Sequence, residues 1–332
     1  MIDRIEISGL FGLYNYDLDL SDGGSRRLSI ITGPNGFGKT TVLQLINALY
    51  TQNYRMMTST VFDTVVYHFD NKVFRVHQVR TFEDVDGDSD LPAAVHVSLD
   101  CSFSDESATT ATEYLLVDPE IGGDDAARVL PNHFNLFMNS RQCFYISDTR
   151  EVNVKTDAGI HSGVLGTSLL EKDIAAFKSL LVDLRYDAED ECSLDSRFLA
   201  KLNLFREIIG SSRFAGKTMQ ISSSFGIRFK MDNELGEFIG VEQLSSGEKH
   251  ILLQTLELLF FAKDGVVALI DEPELSLHPA WLNRYVDSME KIQNLKSLEG
   301  KPFQVILATH SPTLIGQRWN DCIDLYEHQR NG

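Results

Sequence analysis

The sequence has few cysteines and no long apolar run. Four cysteines stand among 332 residues, at positions 101, 143, 192 and 322, and no two of them form a C-x-x-C pair. This spacing excludes a disulfide framework and a zinc finger, and it indicates reduced thiols in a cytosolic protein. No apolar stretch approaches the length of a membrane span, and Asp3 and Arg4 interrupt any signal core. We therefore expect a cytoplasmic protein without a membrane partner.

Positive charge is missing from one long stretch of an acidic chain. The net charge is −18, and residues 81–127 contain 13 Asp or Glu and no Lys or Arg. Such a field repels nucleic acid, so we expect nucleic-acid contact only through a partner. The best basic patch, residues 197–217, holds five cations against Glu207 alone. This pattern is compatible with a solvated helix face or with a site for nucleic acid or an acidic partner.

Glycines cluster in residues 33–40, GPNGFGKT, which fit the phosphate-loop pattern G-x-x-x-x-G-K-[ST]. Glycines let backbone N–H groups turn inward around a polyphosphate. Lys39 would reach the β- and γ-phosphates, and the Thr40 hydroxyl can ligate Mg²⁺. Residues 27–32 predict a buried strand entering the loop. Residues 41–49 predict a helix leaving it, with its positive end toward the phosphates.

The rest of the chain predicts two further regions. Short β-branched or aromatic segments predict an antiparallel sheet beside the nucleotide. Residues 168–210 have the spacing of two helices, and residues 218–231 predict a strand pair that turns at Gly226. The alternating carboxylates of residues 84–90 fit a solvated hairpin loop or a Ca²⁺ loop. The predicted strands of the antiparallel sheet are residues 61–69, 73–82, 93–101 and 113–117.

Two apolar runs end in residues with catalytic potential. Residues 266–272, VVALIDE, predict a buried parallel strand whose carboxyl end faces the phosphates. There Asp271 would hold Mg²⁺ and Glu272 would act as the general base for the attacking water. Residues 305–311, VILATHS, predict a second such strand. Its His310 would lie where an imidazole can bond to the transferring phosphoryl group.

A third strand, within residues 144–150, leaves two interpretations open. Either its polar end is a solvated exit, or Asp148 and Arg150 approach the γ-phosphate and Gln142 contacts water or Mg²⁺. Near the N-terminus, Phe11 or Tyr14 either stacks on a base or packs in the fold.

Residues 244–249, LSSGEK, open another predicted helix. Ser245 followed by Glu248 forms a capping-box pattern, which needs no ligand to explain it. Alongside the phosphate loop, the same residues fit a second role: the helix N-terminus and the Ser246 hydroxyl would bind a γ-phosphate held by another subunit.

The order of these motifs resembles the ABC-type ATPases of the SMC, RecF and OLD group. The series is the phosphate loop (Walker A), the LSSGE signature, DEPE (Walker B), LSLHP and ATHSP. Most similar are the AAA-type ABC ATPases of bacterial anti-phage operons, such as the ATPase subunits of the PARIS and Septu systems. The resemblance covers residues 1–80 and 240–332 and is loose between them.

The resemblance implies an α/β fold, a P-loop ABC ATPase head with a mixed central sheet, an antiparallel β lobe and a small helical insertion. The expected units are lobe I (1–150), the insertion (151–217) and lobe II (218–332). It implies Mg²⁺-dependent ATP hydrolysis in a homodimer or higher oligomer that sandwiches ATP, beside a separate effector, a nuclease by analogy. The implied catalytic residues are Lys39, Glu272 and His310, the metal residues Thr40 and Asp271, and the nucleotide contacts Asn35, Gly36, Gly38, Lys39, Thr40, Thr41, Ser246, Gly247 and Glu248.

Departures from related families separate the rival functions. Leu277-His278 stands where transporter ATPases usually have Leu-Asp, and the predicted helices are too short for the coiled coil of SMC proteins. No acidic cluster is left for a TOPRIM nuclease of the OLD type. A defence ATPase that regulates an effector is therefore favoured over a transporter. A RecF-like repair ATPase that binds DNA directly remains the alternative.

Overall fold

The structure is a computed structural model. The described residues are 1–21, 28–83, 94–106, 113–117, 132–139, 141–147, 151–156, 159–164, 167–186, 194–210, 214, 216–263, 265–300 and 303–329. The predicted loop 84–90, Asp148, Arg150 and much of the acidic stretch 81–127 lie outside them.

A seven-stranded mixed sheet forms the centre, in the order β10-β9-β8-β14-β15-β3-β16. Its five strands from β8 to β16 are parallel, so their carboxyl ends share one edge. The apolar runs predicted as buried strands, β3, β14 and β15, are neighbours here, as expected for strands covered on both faces. The bounds are β3 Leu28–Thr32, β8 Cys143–Ile146, β9 Glu151–Thr156, β10 Gly159–Val164, β14 Val267–Asp271, β15 Gln304–Ala308 and β16 Cys322–Asp324.

A six-stranded antiparallel sheet, in the order β2-β1-β4-β5-β6-β7, forms the second layer. Short β-branched or aromatic segments predicted the four strands β4 to β7 of this sheet, and that prediction is confirmed. The strands are β1 Arg4–Leu10, β2 Tyr14–Asp19, β4 Thr64–Phe69, β5 Lys72–Glu83, β6 Ala94–Asp105 and β7 Glu113–Val117.

Helix α1 (Lys39–Thr51) lies between the two sheets. Its apolar residues Val42 and Ile46 are buried in one core with side chains of both sheets. The Tyr67 hydroxyl of β4 also donates to the Leu45 carbonyl of α1, at 2.9 Å. The helix that leaves the phosphate loop is therefore held from both sides. Two short helices, α2 (Tyr54–Ser59) and α3 (Asn132–Asn139), belong to the same half of the molecule.

A second core covers the other face of the central sheet. It joins residues of five helices to a small antiparallel sheet, which turns at Gly226 as predicted, with φ +78°. A five-residue π-helical segment, Glu257–Phe261, follows the signature helix. The elements are α4 Thr167–Asp183, α5 Ser196–Gly210, α6 Ser246–Leu256, α7 Pro279–Leu298, α8 Pro312–Ile315, β11 Lys217–Ser222, β12 Gly226–Met231 and β13 Phe238–Ile239.

Residues 151–164 differ from the expectation of a helical insertion that begins at position 151. Residues 151–156 and 159–164 form the antiparallel strands β9 and β10, which extend the central sheet beside β8. The sequence EVNVKT alternates polar and β-branched residues, a strand pattern that the neighbouring helical periodicity obscured. The helices begin only at Thr167. The division of the chain into three units stays a prediction. Within the described residues, no helix has both the length and the apolar character needed to cross a bilayer.

Candidate functional site

The phosphate loop connects β3 to α1 in a conformation that needs glycine. Gly33, Gly36 and Gly38 all have positive φ, at 140°, 86° and 86°. A side chain at Gly38 would also place its Cβ 2.8 Å from Leu10 Cδ2. Because α1 begins at Lys39, its first backbone N–H groups open onto the loop. This cradle fits a polyphosphate.

Lys39 lies under this cradle with only 6% of its side chain exposed. Its Nζ donates to the Gly33 carbonyl at 3.0 Å and lies 3.6 Å from Glu272 Oε1. The loop carbonyl and the carboxylate together balance a buried ammonium group, which would otherwise be costly.

Glu272 follows the last residue of β14, Asp271, which is buried. The backbone of Glu272 is left-handed, with φ 44°. A left-handed residue other than glycine costs about 1–3 kcal/mol, a strain typical of functional sites. The turn directs the carboxylate toward β15, where Glu272 Oε2 lies 2.6 Å from Nδ1 of the half-exposed His310. Glu272 thus stands between Lys39 and His310, and the structure brings the three predicted catalytic residues together.

A pocket of about 360 Å³ opens beside these residues. Of the two aromatics considered for base stacking, Phe11 lines it, whereas Tyr14 stacks on Phe37 with ring centroids 5.1 Å apart. The lining residues are Phe11, Asn35, Gly36, Gly38, Lys39, Thr40, Thr41, Glu272, Leu275 and His310.

The signature helix α6 is outside this lining. Its capping box is complete: the Ser245 side chain accepts from Glu248 N, and Glu248 Oε2 accepts from Ser245 N at 2.8 Å. Glu248 Oε1 accepts from Lys217 Nζ at 2.6 Å, so this buried carboxylate is committed inside the chain. Gly247 is also buried, and a Cβ there would lie 2.6 Å from the Ser276 carbonyl oxygen. Of the predicted signature contacts, only Ser246 is exposed.

A family model described as "AAA domain, putative AbiEii toxin, Type IV TA system" matches residues 151–316. The match spans half of the chain and includes the signature, Glu272 and His310. The chain belongs to this family. It is an AAA-type P-loop ATPase with an α/β fold.

Solved SMC head domains are similar to this AAA-family chain over nearly its whole length. One, bound to the C-winged helix domain of ScpA, has 15% identity, covers 95% of this chain and 90% of its own, and gives a TM-score of 0.42. The head from Thermotoga maritima has 13% identity, coverages of 97% and 92%, and a TM-score of 0.41. A head from Pyrococcus furiosus, bound to the C-terminal domain of ScpA, has 13% identity, coverages of 95% and 90%, and a TM-score of 0.43. A comparison with curated proteins gave no match.

The interpretation of Gln142 as a water or Mg²⁺ contact is wrong for this AAA-family chain. Gln142 precedes β8, and its Oε1 accepts from Lys263 N at 3.1 Å. Because β8 runs parallel to β14 with Cys143 opposite Val267, Gln142 lies at the amino edge of the sheet. The phosphate loop is at the other edge. The direction of β8 could not be deduced from its apolar sequence.

His278, the departure from transporter ATPases, has a local structural role. Its Nδ1 accepts from Ala280 N at 3.2 Å and caps the first turn of α7. An Asp at this position would cap in the same way. The substitution therefore leaves the helix start intact.

Sequence reasoning gave no role to Glu274, which the structure brings to the site. Its Oε1 accepts from Thr309 Oγ1 at 2.5 Å and from His310 N at 3.2 Å. Burial raises the pKa of this carboxyl, and the neighbouring Glu272 carboxylate raises it further. The DEPE motif already indicated that Glu274 could reach the site. Its proline makes a turn, and this turn brings the carboxylates of Glu272 and Glu274 onto one side.

Proposed function

We propose that this chain binds and hydrolyses ATP with Mg²⁺ at the pocket beside the phosphate loop. The meeting of Lys39, Glu272 and His310 at that pocket carries the proposal. Thr40 lines the pocket and Asp271 ends the strand beneath it, so these residues would hold Mg²⁺. When bound, the ion would neutralise charge on the β- and γ-phosphates.

The residues divide the chemical work in this proposal. Lys39 leaves its loop carbonyl and Glu272 to bind the β- and γ-phosphates, which frees the carboxylate. Glu272 then accepts a proton from the attacking water as general base. His310, already bonded to Glu272, orients that carboxylate and donates toward the phosphoryl group from its exposed side.

A substitution at Glu272 tests ATP binding and ATP hydrolysis separately. Glu272→Gln should bind ATP as the wild type does, because Lys39 and the glycine loop remain. Its turnover should fall about 100-fold or more, because the amide cannot accept the proton. Phosphate release and binding of a fluorescent ATP analogue measure the two quantities. Turnover near the wild-type value in a variant that binds ATP would assign the base to another residue.

We further propose that the ATPase acts in a dimer as the sensor that regulates a separate effector, a nuclease, in anti-phage defence. The exposed Ser246 is the first residue of the signature helix, and this helix does not line the pocket of its own chain, which supports an ATP sandwich between two copies. The resemblance to ATPases of defence operons supports the effector role. Co-expression with the neighbouring gene products tests it: an ATP-dependent complex whose nuclease activity requires intact Lys39 is expected. A nuclease equally active without this chain would contradict the regulatory role.

Direct DNA binding of the RecF type is the second candidate, and the basic patch 197–217 bears on it. Lys201 pairs with Glu299 at 3.0 Å, and Arg206 donates to the Tyr186 hydroxyl. These internal contacts, with the net charge of −18, favour weak DNA binding at physiological salt. Tight, salt-dependent binding in a mobility-shift assay, lost on changing Arg206 and Arg213 to Glu, would instead favour the repair ATPase.

A further inference from the structure

The segment after β14 turns sharply and brings two carboxylates to one place. Glu272 is left-handed, Pro273 fixes the next φ, and Leu275 N donates back to the Glu272 carbonyl at 3.0 Å. The resulting single 3₁₀ turn, Pro273–Leu275, directs both Glu272 and Glu274 toward the end of β15.

At this meeting point only 9% of the Glu274 side chain is exposed. Its Oε1 receives two hydrogen bonds, from the Thr309 hydroxyl and from His310 N. Its Oε2 is buried and has no hydrogen-bond partner among the described residues. An under-satisfied buried carboxyl is costly, and such costs are typical of groups retained for function.

Thr309 connects Glu274 to the strand that enters the phosphate loop. Thr309 N donates to the Ile31 carbonyl of β3 at 3.0 Å, and Thr309 Oγ1 accepts from Ser311 N at 2.9 Å. Glu274 therefore holds Thr309 and His310 from the β14 side, while β3 holds Thr309 from the other side. His310, whose imidazole bonds to Glu272, is the next residue after Thr309 in the sequence.

We propose that Glu274 is a positioning residue of the hydrolysis centre: it fixes the Thr309–His310 backbone so that His310 stays against Glu272. The inference rests on the proposed ATPase activity. His310 N lies 3.2 Å from oxygens of both Glu272 and Glu274, so the two carboxylates share one donor. Without Glu274, the Thr309–His310 backbone would lose two hydrogen bonds, so His310 would no longer be held against Glu272 and the carboxylate would lose its orientation toward the attacking water.

Steady-state kinetics of Glu274→Ala test this role. We expect kcat to fall about tenfold to 100-fold while KM for ATP stays within about twofold, since misplacing a catalytic group by 1 Å costs that much. Glu299→Ala is the matched control. Glu299 is an equally buried glutamate that pairs with Lys201 at the far end of α7. The control should lose stability but keep kcat.

Thr309 supplies the rescue test. Thr309→Val removes the hydroxyl that donates a hydrogen bond to Glu274, and Thr309→Ser keeps that hydroxyl. The valine variant should lose kcat, but no more than Glu274→Ala does, because the bond from His310 N to Glu274 remains; the serine variant should stay within about threefold of the wild type. The double variant Glu274→Ala/Thr309→Val should lose no more than Glu274→Ala alone, because that variant has already removed the Thr309 contact. Additive losses would overturn the coupling.

A measurement without nucleotide separates this inference from the ATPase proposal. NMR spectra of ¹⁵N-histidine-labelled protein would report on His310, whose signal is assigned by its loss in His310→Gln. Glu274→Ala should shift the His310 signal, and Glu299→Ala should leave it unchanged. An unchanged signal, or a folded Glu274→Ala protein with wild-type kcat, would overturn the positioning role. A wild-type protein without ATPase activity would contradict the proposed function alone, because the histidine signal would still report on the contact.

Discussion

The Lys39–Glu272–His310 cluster and the start of helix α6 each hold a glutamate, but in opposite ways. In the cluster, Glu272 lies between Lys39 and His310 beside an open pocket. At the signature helix, Glu248 is closed between its own helix start and Lys217. A ligand in the pocket must therefore break the contacts of Glu272, whereas the contacts of Glu248 can stay intact. The comparison indicates that Glu272 is poised for exchange of partners, whereas Glu248 holds the helix that presents Ser246.

The largest effect should come from mixing two inactive variants. If Ser246 serves the ATP of a second copy, Lys39→Ala and Ser246→Arg should each be inactive. A mixed dimer has one site with both defects and one site with neither. Random mixing of equal amounts gives about half mixed dimers, so roughly a quarter of the normal ATPase activity should return if sites act independently.

Subunit exchange is the control, shown with differently tagged chains. If exchange is complete and the mixture stays inactive, light scattering with ATP decides between coupled sites and no shared site. Absence of an ATP-dependent dimer would mean that the signature helix does not complete a second pocket.

The next effect concerns stability at the signature helix. Lys217→Met should leave the buried Glu248 carboxylate without its cation and lower the free energy of unfolding by about 3 kcal/mol. Lys291→Met is the matched control, because Lys291 and its partner Glu207 are both more than half exposed. That surface pair should contribute less than about 1 kcal/mol. Urea unfolding measures both. Equal losses of unfolding free energy in the two variants would show that the buried Lys217–Glu248 pair contributes no more than a surface pair.

The smallest effect is a pH dependence behind the signature helix. Burial raises the pKa of Asp173 on α4 to about 6, and burial with the Asp173 charge raises the pKa of Glu257 to about 8, against the charge of Lys172. As pH rises from 4 toward 8, the unfolded chain releases these protons first, so stability should fall over that range. Tm should drop by about two degrees or more between pH 5 and 8.

Glu257→Gln is the variant that isolates this pair. The amide keeps the shape of the side chain and removes one of the two titrating groups, so the Tm difference between pH 5 and 8 should shrink. A Tm that falls equally in the variant and the wild type would place the pH dependence elsewhere in the chain.

The sequence predicted the parts of the site that depend on local chemistry. Glycines at residues 33, 36 and 38 and apolar runs ending in Glu272 and His310 indicated where parallel strands meet their loops, and the structure brings these residues together. The prediction for Gln142 was wrong because the position and direction of β8 in the sheet depend on its pairing with strands that are distant in the sequence. Glu248 fitted both a cap and a ligand contact, since one glutamate satisfies either pattern. The importance of Glu274 emerged only with the turn at Pro273.

The place of β3 in the central sheet has a consequence for how the molecule is made. Its two neighbours are β15 and β16, which begin only at residues 304 and 322, whereas β3 ends at residue 32. A nascent chain therefore carries the phosphate loop long before it carries either of the strands that flank β3. Pairings this distant in sequence are slow to form. The nucleotide pocket should therefore close only after residue 304 has been synthesised, so chains stalled before that residue should not bind ATP.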